Sequence, residues 1–394
     1  MNASVHFLRA SLTRTSRNVS EHLVGKNARL LEQAGFVSQT AAGIYTLLPL
    51  GLRVLQRIEL IIREEMESLQ AHEFLGATLQ PKGLWETTSR WDSVDVLYKL
   101  ASRHGGEFCL AATAEELISS VGAASIRSYR DLPFAAYQIG TKYRDEHRAR
   151  SGLLRGKEFR MKDLYSFHCD QNEMDAFYES VCAAYARVFT RCGIGHAVVR
   201  TFASGGIFSK FSDEFQLLSA AGEDTIYVTK DGSVAINKEI AQDDEALQTV
   251  FGKQVPELVE HRAIEVGNTF KLGRRFTEAF GIRVPDRTGT IQPLLMCSYG
   301  IGSTRLIGAV VETFGDERGL VWPTEISPYG VHVIVGNSAG EERQELAPLV
   351  EHLRNAGISA LIDDRRDVRL GEKFMDADLI GVRSEEHTSE LQSH

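Results

Sequence analysis

Three short runs of this 394-residue chain hold side chains whose types and spacing suit chemistry. Tyr143-Arg144-Asp145-Glu146 is followed closely by Arg148, Arg150, Arg155 and Lys157. A planar guanidinium holds two phosphate oxygens at once, and a carboxylate beside it accepts from an exocyclic amino group such as that of adenine. The same residues would equally make a solvated hairpin laced with surface ion pairs, and the segment alone supports both readings. The second run, Tyr299-Gly300-Ile301-Gly302-Ser303-Thr304-Arg305, puts glycines between an apolar stretch and a helical one, where backbone N–H groups can approach an anion. The dinucleotide fingerprint G-x-G-x-x-G needs glycine where Arg305 stands, so that reading fails, and an arginine there suits a triphosphate. The third run is Thr113-Ala114-Glu115-Glu116, with Glu214 of Ser212-Asp213-Glu214-Phe215-Gln216 as a distant companion. Carboxylates can hold a substrate ammonium group, although Thr-x-x-Glu also reads as a capping box ahead of a helix from Glu116 to Val121.

These residues need elements to position them. Leu52, Leu55, Ile58, Ile62, Met66 and Leu69 recur at the spacing of a helix with one buried stripe, starting after Pro49 and Gly51. A short apolar stretch follows from Gly76 to Pro81. Phe134 to Tyr143 reads as a strand, Asp145 to Lys157 as a basic loop, and Phe159 to Phe167 as a second strand. Asn172 to Phe189 reads as a helix, Ile291 to Tyr299 as an apolar strand, and Leu306, Ile307, Val310, Val311 and Phe314 as the stripe of a helix with Arg305 in its first turn. After Trp322-Pro323 and Ser327-Pro328 the pattern changes to a small βα unit. Its strand is Val331 to Val335, its helix Glu341 to Asn355 and its second strand Ile358 to Ile362. From Arg383 to His394 the chain turns almost wholly polar and reads as an adapter-like, non-native tail, so this last unit is expected to be incomplete, with poor order beyond about Gly381.

Composition excludes several classes. At 43% hydrophobic and 25% charged, disorder is not expected, and no apolar run is long enough to span a bilayer. With 44 Lys+Arg against 53 Asp+Glu the net charge is −9, so a polyanionic partner must meet a local basic patch. The five cysteines form no C-x-x-C pair and are odd in number, which argues against a disulfide framework and points to a reducing, cytoplasmic setting. Residues 1–20 carry Arg9, Arg14 and Arg17 and no acid, and read as an irregular N-terminal arm.

Taken in order, these features resemble a class II aminoacyl-tRNA synthetase, and specifically the prolyl-tRNA synthetase family of the bacterial or organellar type. The runs that carry the resemblance are Gly35-Phe36-Val37, Gly43-Ile44-Tyr45-Thr46-Leu47-Leu48-Pro49-Leu50-Gly51, Leu84-Trp85-Glu86, Arg144-Asp145-Glu146, Glu158-Phe159-Arg160-Met161-Lys162-Asp163 and Ile264-Glu265-Val266-Gly267. The resemblance implies an α/β fold class: an α+β catalytic domain built on an antiparallel sheet (residues 1–326) and a partial α/β anticodon-binding domain (327–382), with 383–394 outside both. It implies a proline-tRNA ligase that works with ATP and Mg²⁺ on L-proline and tRNA(Pro), as a homodimer built on the helix from Leu52, with no membrane. By the same resemblance, Arg144 binds the α-phosphate and the substrate carboxylate, Glu146 the adenine amino group, and Phe159 the adenine ring. Arg155, Gly300, Gly302 and Arg305 serve ATP, with Arg305 toward its γ-phosphate, while Thr113, Glu115 and Glu214 surround the imino group and Glu214 also serves magnesium. Asp364, Arg365, Lys373 and Phe374 are implied to meet the anticodon.

The sequence departs from the family pattern at several places. Ala77 stands for proline, Ala111-Ala112-Thr113-Ala114-Glu115-Glu116 for Gly-Pro-Thr-His-Glu-Glu, and Asp213 and Asn268 for histidines. Only Ala241 to Arg262 occupies the place of the family's editing insertion, too short for a domain with its own core. The retained Thr113, Glu115, Arg144 and Arg305 favour an active enzyme. The alternatives are a non-catalytic paralogue that binds proline or tRNA, and a class II synthetase for threonine or serine.

Overall fold

The computed structural model describes residues 4–17, 25–147, 151–286, 289–336 and 342–382. Two compact units divide the chain, one of residues 59–150 and 154–309, the other of residues 1–58, 151–153 and 310–394.

The first unit is organised by a nine-stranded sheet. Its strands run in the order Phe211–Leu218, Val198–Ser204, Ala235–Asn237, Asp224–Thr229, Leu258–Gly273, Leu295–Ile301, Glu158–His168, Phe134–Tyr143 and His72–Glu73, with Phe211–Leu218 also pairing Leu258–Gly273. The pairings are antiparallel except Val198–Ser204 with Ala235–Asn237 and Phe134–Tyr143 with His72–Glu73. Register aligns Gln138, Asp163, Gly300, Asn268 and Glu214 as successive cross-strand partners. Directly opposed residues share a face, so these polar groups form one row across the sheet. Gly300 lies within the strand, where a Cβ would meet the Asn268 side-chain oxygen at 2.7 Å. Close side-chain approach is thus the reason for this glycine.

The opposite face is covered by the helix Gln171–Arg191, which starts where the Asp170 carboxylate accepts from the Glu173 N–H at 2.9 Å. Tyr178, Tyr185 and Phe189 of this helix pack at tilted ring angles on Tyr299 and Phe215 of the sheet. Ile118, Ala136, Tyr165, Phe167, Phe276 and Met296 form a core cluster around the helix Glu115–Ser125. A small sheet of Leu79–Pro81, Glu107–Leu110 and Lys99–Ala101 is attached, with Trp85 and Trp91 in its core.

The second unit holds a three-stranded parallel sheet in the order Val5–Phe7, Ala360–Asp363, Val331–Ile334, with the helices Glu342–Asn355 and Leu370–Ile380. The N-terminal arm is therefore not wholly irregular: Val5 pairs with Ala360 and Phe7 with Ile362, and Val5 joins Val350, Leu353 and Ile362 in one apolar cluster. Three residues are too few to show an alternating pattern, and their partner lies at the other end of the chain.

Element boundaries also shift. The long helix spans Pro49–Ser68, because proline fits the first helical turn, where its missing N–H costs nothing. Leu52 is 43% exposed and outside the stripe, whereas Val54 and Ile61 are buried in it. The apolar run from Ile291 breaks into Ile291–Pro293 and Leu295–Ile301, and the last strand is Ala360–Asp363. The polar tail 383–394 falls outside the described residues, as do Arg148 and Arg150.

Candidate active site

The strand Phe134–Tyr143 delivers Arg144 to its end, where the Arg144 N–H donates to the Lys157 carbonyl at 2.8 Å and closes the hairpin. The preceding Tyr143 N–H donates to the Ala111 carbonyl at 3.0 Å, and Arg144 Nε reaches the Ala112 carbonyl at 3.3 Å. Arg144 is thereby fixed against the segment that carries Thr113 and Glu115. Its guanidinium carbon lies 5.3 Å from the Phe159 ring centre. Burial, and then the like charge of Arg305, push the Arg144 pKa down. Two guanidiniums that repel one another across one cleft are an arrangement an anion relieves.

Of the expected nucleotide set, Glu146, Arg155 and Arg305 line one cleft with Arg144, and Glu265, which was not among the expected site residues, joins them, whereas Phe159, Gly300 and Gly302 are not among its lining residues. Arg155 binds the Glu146 carboxylate through Nε at 3.1 Å and Nη2 at 2.8 Å, and Glu223 at 3.3 Å. Arg305, in the first turn of the helix Ser303–Phe314, donates to the Leu154 carbonyl at 2.8 Å and to the carbonyl and carboxylate of Glu265 at 2.8 and 3.0 Å. Gly302 sits between strand and helix.

Thr113, Ala114, Glu115 and Glu116 enter the helix Glu115–Ser125 without a capping box. The cap residue is Ala114, with no side-chain bond, and its N–H donates to the buried Tyr165 hydroxyl at 3.0 Å. The Thr113 hydroxyl instead donates to Glu115 Oε2 at 2.5 Å. Arg90, 1% exposed, donates through Nη1 to Glu116 Oε1 at 2.8 Å and to Glu115 Oε2 at 3.3 Å. The two carboxylates at the helix start thus share a buried cation, a pattern the Thr-x-x-Glu spacing does not reveal.

Glu214 is grouped with other acids and with side-chain amides. Its Oε2 accepts from Gln216 at 2.9 Å and from Asn237 at 3.0 Å, and Gln216 also reaches Asp224. Burial, then the charge of Glu265, push the Glu214 pKa up to about 8. The two positions where imidazoles were expected are filled differently. Asp213 accepts from Tyr178 at 2.7 Å and Arg200 at 2.9 Å, and Asn268 donates to Glu265 Oε1 at 2.8 Å.

In the other unit, Arg365 is tied to Asp363 at 2.6 Å and Asp376 at 2.9 Å, and buried Lys373 donates to the Val335 carbonyl at 2.7 Å. The Asp364 carboxylate accepts from the Arg9 N–H at 3.0 Å, and Phe374 is 55% exposed.

Two residues of the site carried no signal in the sequence. Arg90 sits in an ordinary Ser-Arg-Trp run. Glu59 looks like one of several polar positions on the long helix, yet its carboxylate receives Arg160 at 2.9 and 3.1 Å and the Ser303 hydroxyl at 3.3 Å. Only the fold shows that these positions are buried.

Residues 98–314 match the tRNA synthetase class II core domain (G, H, P, S and T), and residues 331–384 match the anticodon binding domain. The proline–tRNA ligase of Bacillus cereus (strain G9842) is 32% identical over 517 aligned positions, covering 93% of this chain and 91% of the relative. That of Bacillus anthracis (strain A0248) matches equally. Since this chain has 394 residues, more than a hundred aligned positions of those relatives have no counterpart in it. The prolyl-tRNA synthetase of Cryptosporidium parvum complexed with L-proline and AMP superposes with a TM-score of 0.71 at 19% identity, covering 90% of this chain and 66% of that one. The complex of the same synthetase with halofuginone and AMPPNP gives 0.72, covering 68% of that chain. At such identity the superpositions establish the fold, while the Bacillus relatives establish kinship: the chain belongs to the proline–tRNA ligase family of class II aminoacyl-tRNA synthetases.

Proposed function

We propose that this chain activates L-proline with ATP and transfers the prolyl group to tRNA(Pro). The observation that carries the reading is the shared cleft of Arg144 and Arg305, with Arg144 bound to the backbone beside Thr113 and Glu115. A zwitterionic amino acid needs a cation for its carboxylate and an anion for its ammonium, and this corner offers both.

In the first step a proline carboxylate oxygen attacks the α-phosphorus of ATP in line, a new O–P bond forms and the bridging P–O bond breaks, releasing pyrophosphate. In the second, a terminal ribose hydroxyl of tRNA attacks the prolyl carbonyl and AMP departs. No protein nucleophile is needed, because the carboxylate is already ionised. The site works by holding two substrates in reach and by placing guanidiniums against developing charge. Arg144 serves the α-phosphate and the proline carboxylate, Glu146 and Phe159 the adenine, Arg155, Gly300, Gly302 and Arg305 the polyphosphate, and Thr113 and Glu115 the imino group.

Among the described residues no set of three or more His, Cys, Asp or Glu gathers to hold a metal alone. Magnesium is usually held by one or two carboxylates together with phosphates. The acid pair Glu214 and Glu265, in which the Glu265 charge helps push the Glu214 carboxyl up, fits that role. Bound there with ATP, the ion would neutralise charge on the phosphates.

We further assign catalysis to residues 1–326 and anticodon contact to residues 327–382, with Arg365 and the exposed Phe374 ring at the contact surface and the buried Asp364 and Lys373 holding that corner from within. A homodimer built on the Pro49–Ser68 helix and a cytoplasmic location complete the proposal; no helix among the described residues is long and apolar enough to cross a membrane. Incubation with tRNA(Pro), ATP and labelled proline is expected to give acid-precipitable label. Proline binding without label on tRNA or conversion of ATP would support the non-catalytic alternative instead.

A further inference from the structure

Glu115 and Glu116 are adjacent in sequence and 3% and 0% exposed. Two carboxylates so placed cannot both ionise away from water unless a cation is shared between them. Arg90 is that cation. Its Nη1 reaches both, at 2.8 and 3.3 Å, and the guanidinium is held among the rings of Trp85, Phe208 and Phe276 at 5.3, 4.9 and 5.4 Å.

The hydrogen bonds are distributed unevenly. Thr88 and Arg90 both donate to Glu116 Oε1, and Glu116 Oε2 is buried with no partner among the described residues. Thr113 and Arg90 both donate to Glu115 Oε2, so the side-chain donors of the described residues leave Oε1 to a ligand. Glu115 is also close enough to Arg144 to act on its charge.

We propose that Arg90 is a positioning residue for the amino-acid site: it holds the Glu115 carboxylate turned so that Oε1 meets the ammonium of the bound amino acid. This rests on the functional reading above and adds to it a residue that touches no substrate. Arg90 acts only through Glu115, so its loss should fall on amino-acid affinity and leave ATP affinity alone.

The test is proline- and ATP-dependent pyrophosphate exchange in Arg90→Met and Arg90→Lys, with thermal midpoints for both. Methionine fits the aromatic surround and lacks charge, whereas lysine keeps the charge but fits the rings poorly. A role in packing alone favours Met over Lys. The proposal requires the reverse order: KM for proline up about tenfold or more in Arg90→Met, the scale of one lost charged hydrogen bond, back to within about threefold of the parent in Arg90→Lys, and KM for ATP nearly constant in both. Equal KM values in the two variants, or proline and ATP values that rise together, overturn it. Glu116→Gln, isosteric and still holding Arg90, guards against failure of Arg90→Met to fold. It leaves Arg90 to Glu115, so KM for proline should stay within about threefold, and a rise of about tenfold also overturns the proposal. No proline-dependent exchange in the parent would instead defeat the functional reading beneath it, and the role of Arg90 with it.

Discussion

At the scale of single residues, the site is a set of charges held out of water by specific partners. Arg144 is the clearest case, because it is fixed by backbone on two sides, and burial and the like charge of Arg305 outweigh the carboxylates of Glu265, Glu146 and Glu115 around it. Arg144→Ala should therefore lower proline-dependent pyrophosphate exchange by on the order of 10²-fold or more, with a thermal midpoint close to the parent's. Unchanged exchange would remove Arg144 from the mechanism. Glu214 makes a different prediction. Its carboxyl is raised from 4.5 to about 8, so the folded chain retains a proton that the unfolded chain has released. The stability this brings is full below pH 4.5 and is lost as pH rises toward about 8. Glutamine cannot ionise, so the midpoint of Glu214→Gln minus that of the parent should grow in the variant's favour between about pH 5 and about pH 9. A difference that does not change with pH contradicts the assignment.

At the scale of elements, one carboxylate joins three segments that carry the chemistry. Glu59, 5% exposed on the helix Pro49–Ser68, receives Arg160 from the strand Glu158–His168 and Ser303 from the start of the helix that bears Arg305. Glu59→Ala removes a charged acceptor from two donors and should lower stability in urea by about 1–3 kcal/mol, discounted for the partial exposure of Arg160. A loss below about 0.5 kcal/mol would show that the junction is held by packing alone. This junction also marks the limit of what could be read from sequence. The strands on either side of the basic loop and the helices near Asn172 and Arg305 were legible, because apolar periodicity is local and each of these elements buries one face. The order of nine strands, and the row that aligns Gln138, Asp163, Gly300, Asn268 and Glu214, come from pairings between distant segments. Arg144, Glu115 and Arg305 could be singled out by residue type and family pattern. Arg90 and Glu59 could not, since nothing in a charged residue's neighbours announces that it is buried.

At the scale of the whole molecule, the two ends of the chain serve one sheet. Val5–Phe7 pairs with Ala360–Ile362, so an arm that reads as irregular adds an edge strand to the unit that carries the anticodon-domain match. The other unit brings Arg144, Arg305, Glu146 and Glu265 to one cleft although they come from widely separated segments of the chain. Substitutions for the expected imidazoles leave that cleft's charges in place, because Asn268 still engages Glu265 and Asp213 turns to Arg200 and Tyr178. The central claim is that this arrangement forms a prolyl adenylate, and amino-acid-dependent exchange of labelled pyrophosphate into ATP tests it most directly. With the purified chain, proline should support exchange well above the rate without amino acid, and threonine and serine should not. Exchange that is absent with proline, or that threonine or serine drives instead, would contradict the account.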